Sequence, residues 1–201
     1  MQEAMRTDQP ARYETYSAFL GQWVTIRLYP SERGLSVYFE DVTERRRAEE
    51  RIRRQNATLE AINRIFREAL TCETEEQLGA ACLRAAETLT GSAFSFVGEI
   101  ADGQLFEISI SDSAWMSCGM PASDSHDKIG ITFHTHGLYG AVLSEGRTLL
   151  TNDPPAHPQS AGTPPGHIPL AAFLGVPLTV GGQVIGMVGL GNRPGGYTAE
   201  E

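Results

Sequence analysis

The sequence predicts an α+β protein in which a long helix separates a short β segment from a larger mixed domain. Residues 43–70 contain neither Gly nor Pro and repeat small or apolar residues in steps of four and three, as a helix does. Alternating apolar runs precede this stretch, and both alternating and helical runs follow it. We therefore divide the 201 residues into segments 1–42, 43–70 and 71–201.

Composition excludes several classes of protein. No run approaches the ~20 apolar residues of a membrane-spanning helix. The N-terminus lacks the apolar core of a secretory signal, so the cytoplasm is the expected location. The three cysteines include no Cys-x-x-Cys pair, which argues against a disulfide framework or a zinc knuckle and fits a reducing compartment.

The net charge of −9 is unevenly distributed along the chain. Between Glu44 and Arg54 there are six Arg and three Glu, whereas residues 71–201 carry fourteen acids against four basic residues. A basic cluster can bind nucleic acid, but Arg interleaved with Glu on a solvated helix forms ion pairs instead. Because no basic surface continues beyond the helix, we expect no nucleic-acid partner.

The segment Thr43–Leu70 carries a heptad seam, a stripe of seven positions separated by steps of 4, 3, 4, 3, 4 and 3. The seam consists of Ala48, Ile52, Gln55, Leu59, Ile62, Phe66 and Ala69. One helix cannot bury so narrow a stripe alone, and the simplest partner is a second copy in a parallel coiled coil. We expect a homodimer that transmits a signal through this helix. The polar Gln55 would weaken the coil and fix the register of its two helices, so that the coil can switch between packings.

Two alternating runs precede the helix, Trp23–Tyr29 and Leu35–Phe39, with a Pro- and Gly-containing turn between them. Two strands alone are marginal in water, so this hairpin requires further packing. Two strands, a Tyr-Pro turn and then Asp-Val-Thr-Glu-Arg resemble the C-terminal half of a PAS domain. Asp41 and Thr43 match the positions that link the last strand of that family to its output helix, and either side chain could cap the helix. The resemblance implies a PAS fragment without its ligand-holding first half.

A mixed domain follows the helix. Thr74 is a suitable N-cap for a helix over Glu75–Thr90, and Gly91 would end it. Alternating strands surround Asp102-Gly103, and two apolar strands surround Gly181-Gly182. Both dipeptides predict tight hairpin turns.

Four spaced segments of this region resemble the GAF domain family: Gly137–Gly146, Leu149–Pro154, Phe173–Leu178 and Gly182–Leu190. The resemblance implies an antiparallel sheet of about six strands with helices on one face, and a ligand pocket between the sheet and its connections. It also implies that residues 71–201 form the domain without its terminal helix. A PAS segment followed by a GAF domain resembles the input half of a bacterial sensor histidine kinase or diguanylate cyclase, whose output domain would lie elsewhere in the natural protein.

The resemblance does not fix the ligand of the pocket. The residues after Asn192 lack the signature of the cyclic-nucleotide class, and Cys118 is followed by Gly119 rather than by the His of bilin-binding members. We assign no cofactor and expect an unidentified small molecule. The predicted pocket residues are Trp115, Cys118, Met120, His126, Asn152, Asp153 and His167.

Cys118 supports an alternative function. It lies between Met116 and Met120, and this segment together with the loop around His167 resembles a GAF subgroup of redox and haem-linked sensor kinases. The resemblance implies haem as a candidate cofactor, with Cys118 and either His167 or His157 as ligands. The competing interpretation is a buried, inert thiol, as free cysteines usually are. A ligand sensor, a haem or thiol redox sensor and a purely structural dimerisation module therefore remain as alternatives.

We expect no metal site and no catalysis. His134 and His136 would share one side of an extended segment and could bind zinc with His126 or Cys118. The metal candidates together are Cys118, His134, His136, His157 and His167. No Ser-His-Asp set, P-loop, dinucleotide fingerprint or HExxH motif is present.

One enzymatic alternative, a free methionine sulfoxide reductase of the GAF fold, would require cooperating cysteines in the pocket. Cys72 and Cys82 fall in helical regions that are distant in pattern from Cys118. The sequence therefore favours a non-catalytic sensory module over this enzyme.

Overall fold

The computed structural model describes residues 9–31, 34–117, 132–133, 136–163 and 165–199. Its contacts divide the chain into two compact units, residues 1–59 and 60–201. The division falls inside a continuous helix, α1 (Thr43–Ala69), which confirms the predicted helix to within one residue. No helix in the described parts of the chain is long and apolar enough to cross a membrane.

The N-terminal unit contains a three-stranded antiparallel sheet. Its strands are β1 (Ala11–Ser17), β2 (Gln22–Ser31) and β3 (Gly34–Asp41), in the order β1-β2-β3. The predicted hairpin is confirmed as β2 and β3, but the sequence did not predict β1. By pairing along β2 from Leu28 to Gln22, β1 supplies a neighbour that the isolated hairpin lacked.

The second unit begins with helix α2 (Glu75–Thr90), whose two ends are those the sequence predicts. The hydroxyl of Thr74 accepts a hydrogen bond from the amide of Gln77 at 3.2 Å. Gly91 has a φ of 69°, and its amide donates to the carbonyl of Glu87. A polar cap and a left-handed glycine therefore fix both boundaries of this helix.

A second antiparallel sheet has the strand order β6-β5-β4-β9-β8-β7. Its strands are β4 (Phe94–Ala101), β5 (Gln104–Ile110), β6 (Thr132–Phe133), β7 (Leu149–Thr151), β8 (Phe173–Val180) and β9 (Gln183–Gly191). Helices α3 (Asp112–Ser117) and α4 (Gly137–Glu145) connect them. The α+β class is confirmed, although the sheet reaches the expected six strands only through the two-residue β6.

Both predicted tight turns are confirmed. Asp102 and Gly103 have φ angles of 49° and 75°, and Gly181 and Gly182 have φ angles of 59° and 83°. Positive φ at both central residues defines the turn that matches the twist of an antiparallel hairpin.

Helices cover both faces of the second sheet, so the prediction of helices on one face is wrong. Val97 and Ser109 pair in the ladder, and both approach Gly79 of α2. Their neighbour Phe96 points the opposite way, into a cluster that contains Leu138 of α4.

The reason is that this sheet is apolar on both sides. Buried residues occupy consecutive strand positions, such as Phe96 and Val97 or Phe173 and Leu174, whereas a one-sided sheet alternates. The cluster on the α4 face contains Phe96, Leu105, Leu138, Val142, Phe173 and Met187. The second cluster contains Ala172, Leu174, Leu190 and Tyr197, with Ala86 of α2 packed against it.

Replacing Thr74 with Ala should lower the free energy of unfolding by about 1 kcal/mol, because the Gln77 amide loses its side-chain acceptor. Thr74→Ser keeps the hydroxyl and should stay close to the wild type. Urea denaturation followed by circular dichroism measures both variants. An equal loss in both would show that the cap hydroxyl does not stabilise α2.

Candidate functional site

The start of α1 is bonded to the strand that precedes it and to the neighbouring strand. The Asp41 carboxylate accepts a hydrogen bond from the Thr43 amide at 2.9 Å. The Thr43 hydroxyl in turn accepts from the Trp23 amide at 3.0 Å. Hydrogen bonds from the side chain and then the backbone of Thr43 lower the pKa of Asp41. Asp41 and Thr43, both predicted to transmit the signal, therefore connect β2, β3 and the helix through two hydrogen bonds.

A second set of contacts at this junction was not predicted from the sequence. Glu14 of β1 accepts hydrogen bonds from Arg45 at 2.6 Å and from the Nε and Nη2 of Arg46 at 3.1 and 3.0 Å. The guanidinium of Arg46 also lies 4.7 Å from the centre of the Trp23 ring. We call these four residues the Glu14 clamp. The sequence could not reveal it, because strand β1 had not been recognised.

The heptad seam is exposed on a single chain. The exposed fractions of Ile52, Leu59, Ile62 and Phe66 are 57%, 57%, 42% and 67%. Gln55 is also exposed. Four large apolar side chains on one stripe of a helix remain in contact with water, an arrangement that favours a partner helix.

The later part of α1 also has a packed side that differs from the seam. Ala61 is buried, and Ile65 is half-buried. Glu68 accepts a hydrogen bond from Arg84 of α2 at 2.9 Å. The same helical turns therefore present one stripe to their own unit and another to solvent.

The α4 face of the second sheet carries a cluster of aromatic and aliphatic side chains. Tyr139 of α4 lies between Phe96 and Phe173, with ring centroids separated by 5.0 and 5.7 Å. Burial raises the pKa of Tyr139 to about 12, so its phenol stays neutral.

Several predicted pocket and metal residues lie outside the described residues; these are Cys118, Met120, His126 and His134. Trp115 is described, in α3, where its side chain is half-buried. The haem and zinc ligand sets proposed around Cys118 thus stay predictions.

Asn152 and Asp153 bond to their own chain. The Asn152 side chain donates to the carbonyl of Tyr197 at 3.0 Å and accepts from its amide at 2.8 Å. The Tyr197 hydroxyl lies 2.7 Å from the hydroxyl of Ser92. Asp153 accepts from the amide of Ala156 at 3.3 Å, as the cap of a turn does. Asn152 thereby ties the C-terminal segment to the end of β7.

The described histidines lie in separate local environments. His136 occupies the N-cap position of α4 without a capping hydrogen bond from its side chain. The Nδ1 of His157 accepts from the amide of Gln159, and the Nδ1 of His167 lies 2.7 Å from the carbonyl oxygen of Ile168. Among the described residues, no group of three or more His, Cys, Asp or Glu side chains could hold a metal ion.

One carboxyl on the second sheet was not singled out from the sequence. Glu107 of β5 is half-buried, and its Oε2 atom is buried without a hydrogen-bond partner. Burial, and secondarily the negative charge of Glu76, raise its pKa to about 7. A sequence pattern does not show which of fourteen acids in this region turns its side chain inward.

An open groove with a volume of about 490 Å³ lies in the N-terminal unit. Residues of β2 and β3 line it: Arg27, Tyr29, Ser36, Tyr38 and Glu40. Arg27 and Glu40 form an ion pair across the groove at 2.7 Å, so the charges of these two side chains neutralise each other.

A sequence profile described as GAF domain matches residues 72–201, well over half of the chain. The chain belongs to the GAF domain family. Similar solved structures include the GAF domain of a Coxiella burnetii phosphoenolpyruvate-protein phosphotransferase, with a TM-score of 0.57, 19% identity and coverage of 71% of this chain and 82% of that one. The A. aeolicus NLH2 GAF domain in an inactive state has a TM-score of 0.54 and 17% identity, with coverage of 73% of this chain and 84% of that one. At these identities the likeness shows the fold alone.

A curated relative of this GAF protein is the methyl sulfide methyltransferase-associated sensor of Methanosarcina acetivorans. It is 26% identical over 159 residues, which cover 78% of this chain but 15% of the relative. That relative is described as a sensor. GAF domains are sensory input modules of signalling proteins.

Glu14→Gln should loosen the start of α1 at neutral pH, because Arg46 loses its ionic partner and Arg45 keeps only Glu49 of its own helix. Amide hydrogen exchange at Trp23 and Thr43 measures the change. Hydrogen bonds from Arg46 above all lower the pKa of Glu14 in the folded state. Its stabilisation is therefore complete above the unfolded pKa of about 4.3 and is lost as the pH falls through the folded pKa.

The difference in protection between Glu14→Gln and the wild type should accordingly disappear in acid. Glu44→Gln is the matched control, since Glu44 makes an exposed pair with Arg47 within the helix. Equal loss of protection in the two variants at neutral pH would contradict a specific role of the Glu14 clamp.

Proposed function

We propose that this chain is a non-catalytic sensory and dimerisation module of a larger cytoplasmic signalling protein. In this proposal a small ligand in the GAF domain alters the packing of a parallel α1 coiled coil, and the coil transmits the change. The exposed heptad seam is the observation that carries the proposal. The natural protein would be of the sensor histidine kinase or diguanylate cyclase type.

The hydrophobic effect supports dimerisation through α1. Burying a large apolar side chain contributes about 1.5–3 kcal/mol. The seam offers Ile52, Leu59, Ile62 and Phe66 on each chain, all exposed. A paired helix would remove eight such side chains from water, enough to offset the loss of translational and rotational freedom on association.

The N-terminal unit fits the end of a PAS domain in this proposal. A three-stranded antiparallel sheet leads directly into α1 through Asp41, Val42 and Thr43. The Glu14 clamp adds charge-assisted bonds between the sheet and the first turn of the helix. A movement of this sheet would therefore be passed to α1 rather than absorbed in a flexible linker.

Coupling to the GAF domain would use the later part of the helix. Ala61 and Ile65 face a packed side, and the Glu68–Arg84 contact joins α1 to α2. Ile62 and Phe66 belong to the seam in the same turns. An effector shifts the coil only if it binds more tightly to one packing of this helix than to another.

Ile52→Asp should weaken dimerisation about a hundredfold, because a carboxylate would be buried in the seam without a partner. Light scattering after size-exclusion chromatography gives the mass as a function of protein concentration. Ala57→Asp is the matched control, since Ala57 is exposed on α1 and lies outside the seam.

A wild-type chain that remains monomeric at about 100 μM would refute the proposed coil, because stable coils of this length associate well below that concentration. Equal weakening by Ile52→Asp and Ala57→Asp would place the interface elsewhere on the chain.

Gln55→Leu should stabilise the dimer by about 1–2 kcal/mol, because it replaces a polar residue with an apolar one at a seam position. It should also reduce the response of the coil to conditions that change the GAF domain. Thermal unfolding of the dimer compares Gln55→Leu with Ala57→Leu, which adds the same side chain outside the seam. If the two variants change the thermal stability of the dimer equally, Gln55 does not set the register of the two helices.

A further inference from the structure

Glu107 points toward the α4 face of the second sheet. The β4–β5 ladder pairs Glu107 with Gly98 and Leu105 with Ile100, so the stretch between them is regular. Residues two apart on a strand point to the same side. Leu105 is fully buried in the cluster that also contains Leu138 of α4, and the Glu107 side chain therefore leaves the sheet on that same side.

A β-bulge immediately follows Glu107. The register shifts between Gly98–Glu107 and Val97–Ser109, which leaves Ile108 as the extra residue of β5. Bulges re-aim neighbouring side chains and are frequent beside ligand sites. On the β4 side the residue directly opposite Glu107 is a glycine, so β4 offers no side chain there for Glu107 to bond with.

One oxygen of the half-buried Glu107 side chain, Oε2, is buried without a hydrogen-bond partner. A buried acceptor without a donor costs about 1–3 kcal/mol. The raised pKa of Glu107 agrees with this geometry, since desolvation is its main cause.

The described positive charges of this domain are engaged elsewhere. Each basic side chain has its own acceptor: Arg84 with Glu68, Arg147 with Glu145, and Arg193 with the carbonyl of Gly196. Lys128 lies outside the described residues. Among the described residues, the charged neighbour that acts on Glu107 is Glu76 of α2, a helix on the opposite face of the sheet, and its charge repels a negative charge.

We propose that Glu107 binds the nitrogen of an organic cation, an amine, amidine or guanidine with an apolar body, as the ligand of this GAF domain. The assignment rests on the proposed role of the domain as a ligand sensor and specifies the class of ligand. A cationic N–H group supplies the donor that Oε2 lacks and forms a charge-assisted hydrogen bond. An anion would meet the charge of Glu107 without compensation.

The surroundings select the rest of the ligand. Leu105 and Met187 are fully buried on the same face, and Phe96 lies two positions along β4 from Gly98. An apolar body fits such side chains, whereas a strongly hydrated polyamine would lose its water without replacement. A single cationic head on an aliphatic or aromatic body is thus the chemistry that this face recognises.

Isothermal titration of the full 201-residue chain with matched probes tests the proposal. The probes are butylamine, benzylamine and benzamidine, each beside its neutral counterpart butanol, benzyl alcohol or benzamide. At least one cation should bind about tenfold more tightly than its counterpart. The preference should vanish in Glu107→Gln and persist in Glu99→Gln, an exposed acid that pairs beside it in the same ladder.

Absence of binding by all three cations at millimolar concentration would overturn the assignment, as would a preference that survives in Glu107→Gln. Carbon-13 titration of the Glu107 carboxyl in Lys128→Met provides an independent check. An increase in its pKa relative to the wild type would reveal an internal ion pair and also refute the proposal. Light scattering on the same samples reports the dimer, so a missing cation site and a missing coiled coil are distinguished.

Discussion

The apolar seam of α1 is the constraint on which the organisation of this protein depends. Helix propensity alone does not hold 27 residues straight in water, and most helical stability in proteins comes from tertiary packing. The chain packs Ala61 and Ile65 but leaves Ile52, Leu59 and Phe66 exposed. The exposed stripe therefore marks the surface against which a partner helix would pack. It is also the surface through which we propose that a signal passes.

Local signals in the sequence predicted local structure well. Thr74 and Gly91 set the ends of α2, and the Asp-Gly and Gly-Gly pairs set two hairpins, because each depends on backbone chemistry within a few residues. Strand β1 was missed because its own residues are mostly polar. The placement of helices on both faces was missed because it depends on long-range packing of a doubly apolar sheet.

The candidate sites show the same limit. The pairing of Asp41 and Thr43 follows from adjacency, and the sequence identified both. Glu14 reaches Arg45 and Arg46 across about thirty residues, and Glu107 is distinguished only by the side of the strand it occupies. Asn152 was assigned to a pocket from its position at a strand end, while its hydrogen bonds join it to the distant Tyr197. Chemistry that depends on contacts between remote residues has no signature in one sequence.

The position of Arg45 and Arg46 has a further consequence. The amino end of a helix carries a partial positive charge, so two guanidinium groups in the first turn oppose the helix macrodipole. Glu14 of β1 neutralises them from outside the helix. Detaching β1 would leave Arg46 without its carboxylate partner and Arg45 with Glu49 alone, so the opening turn of α1 would become less stable.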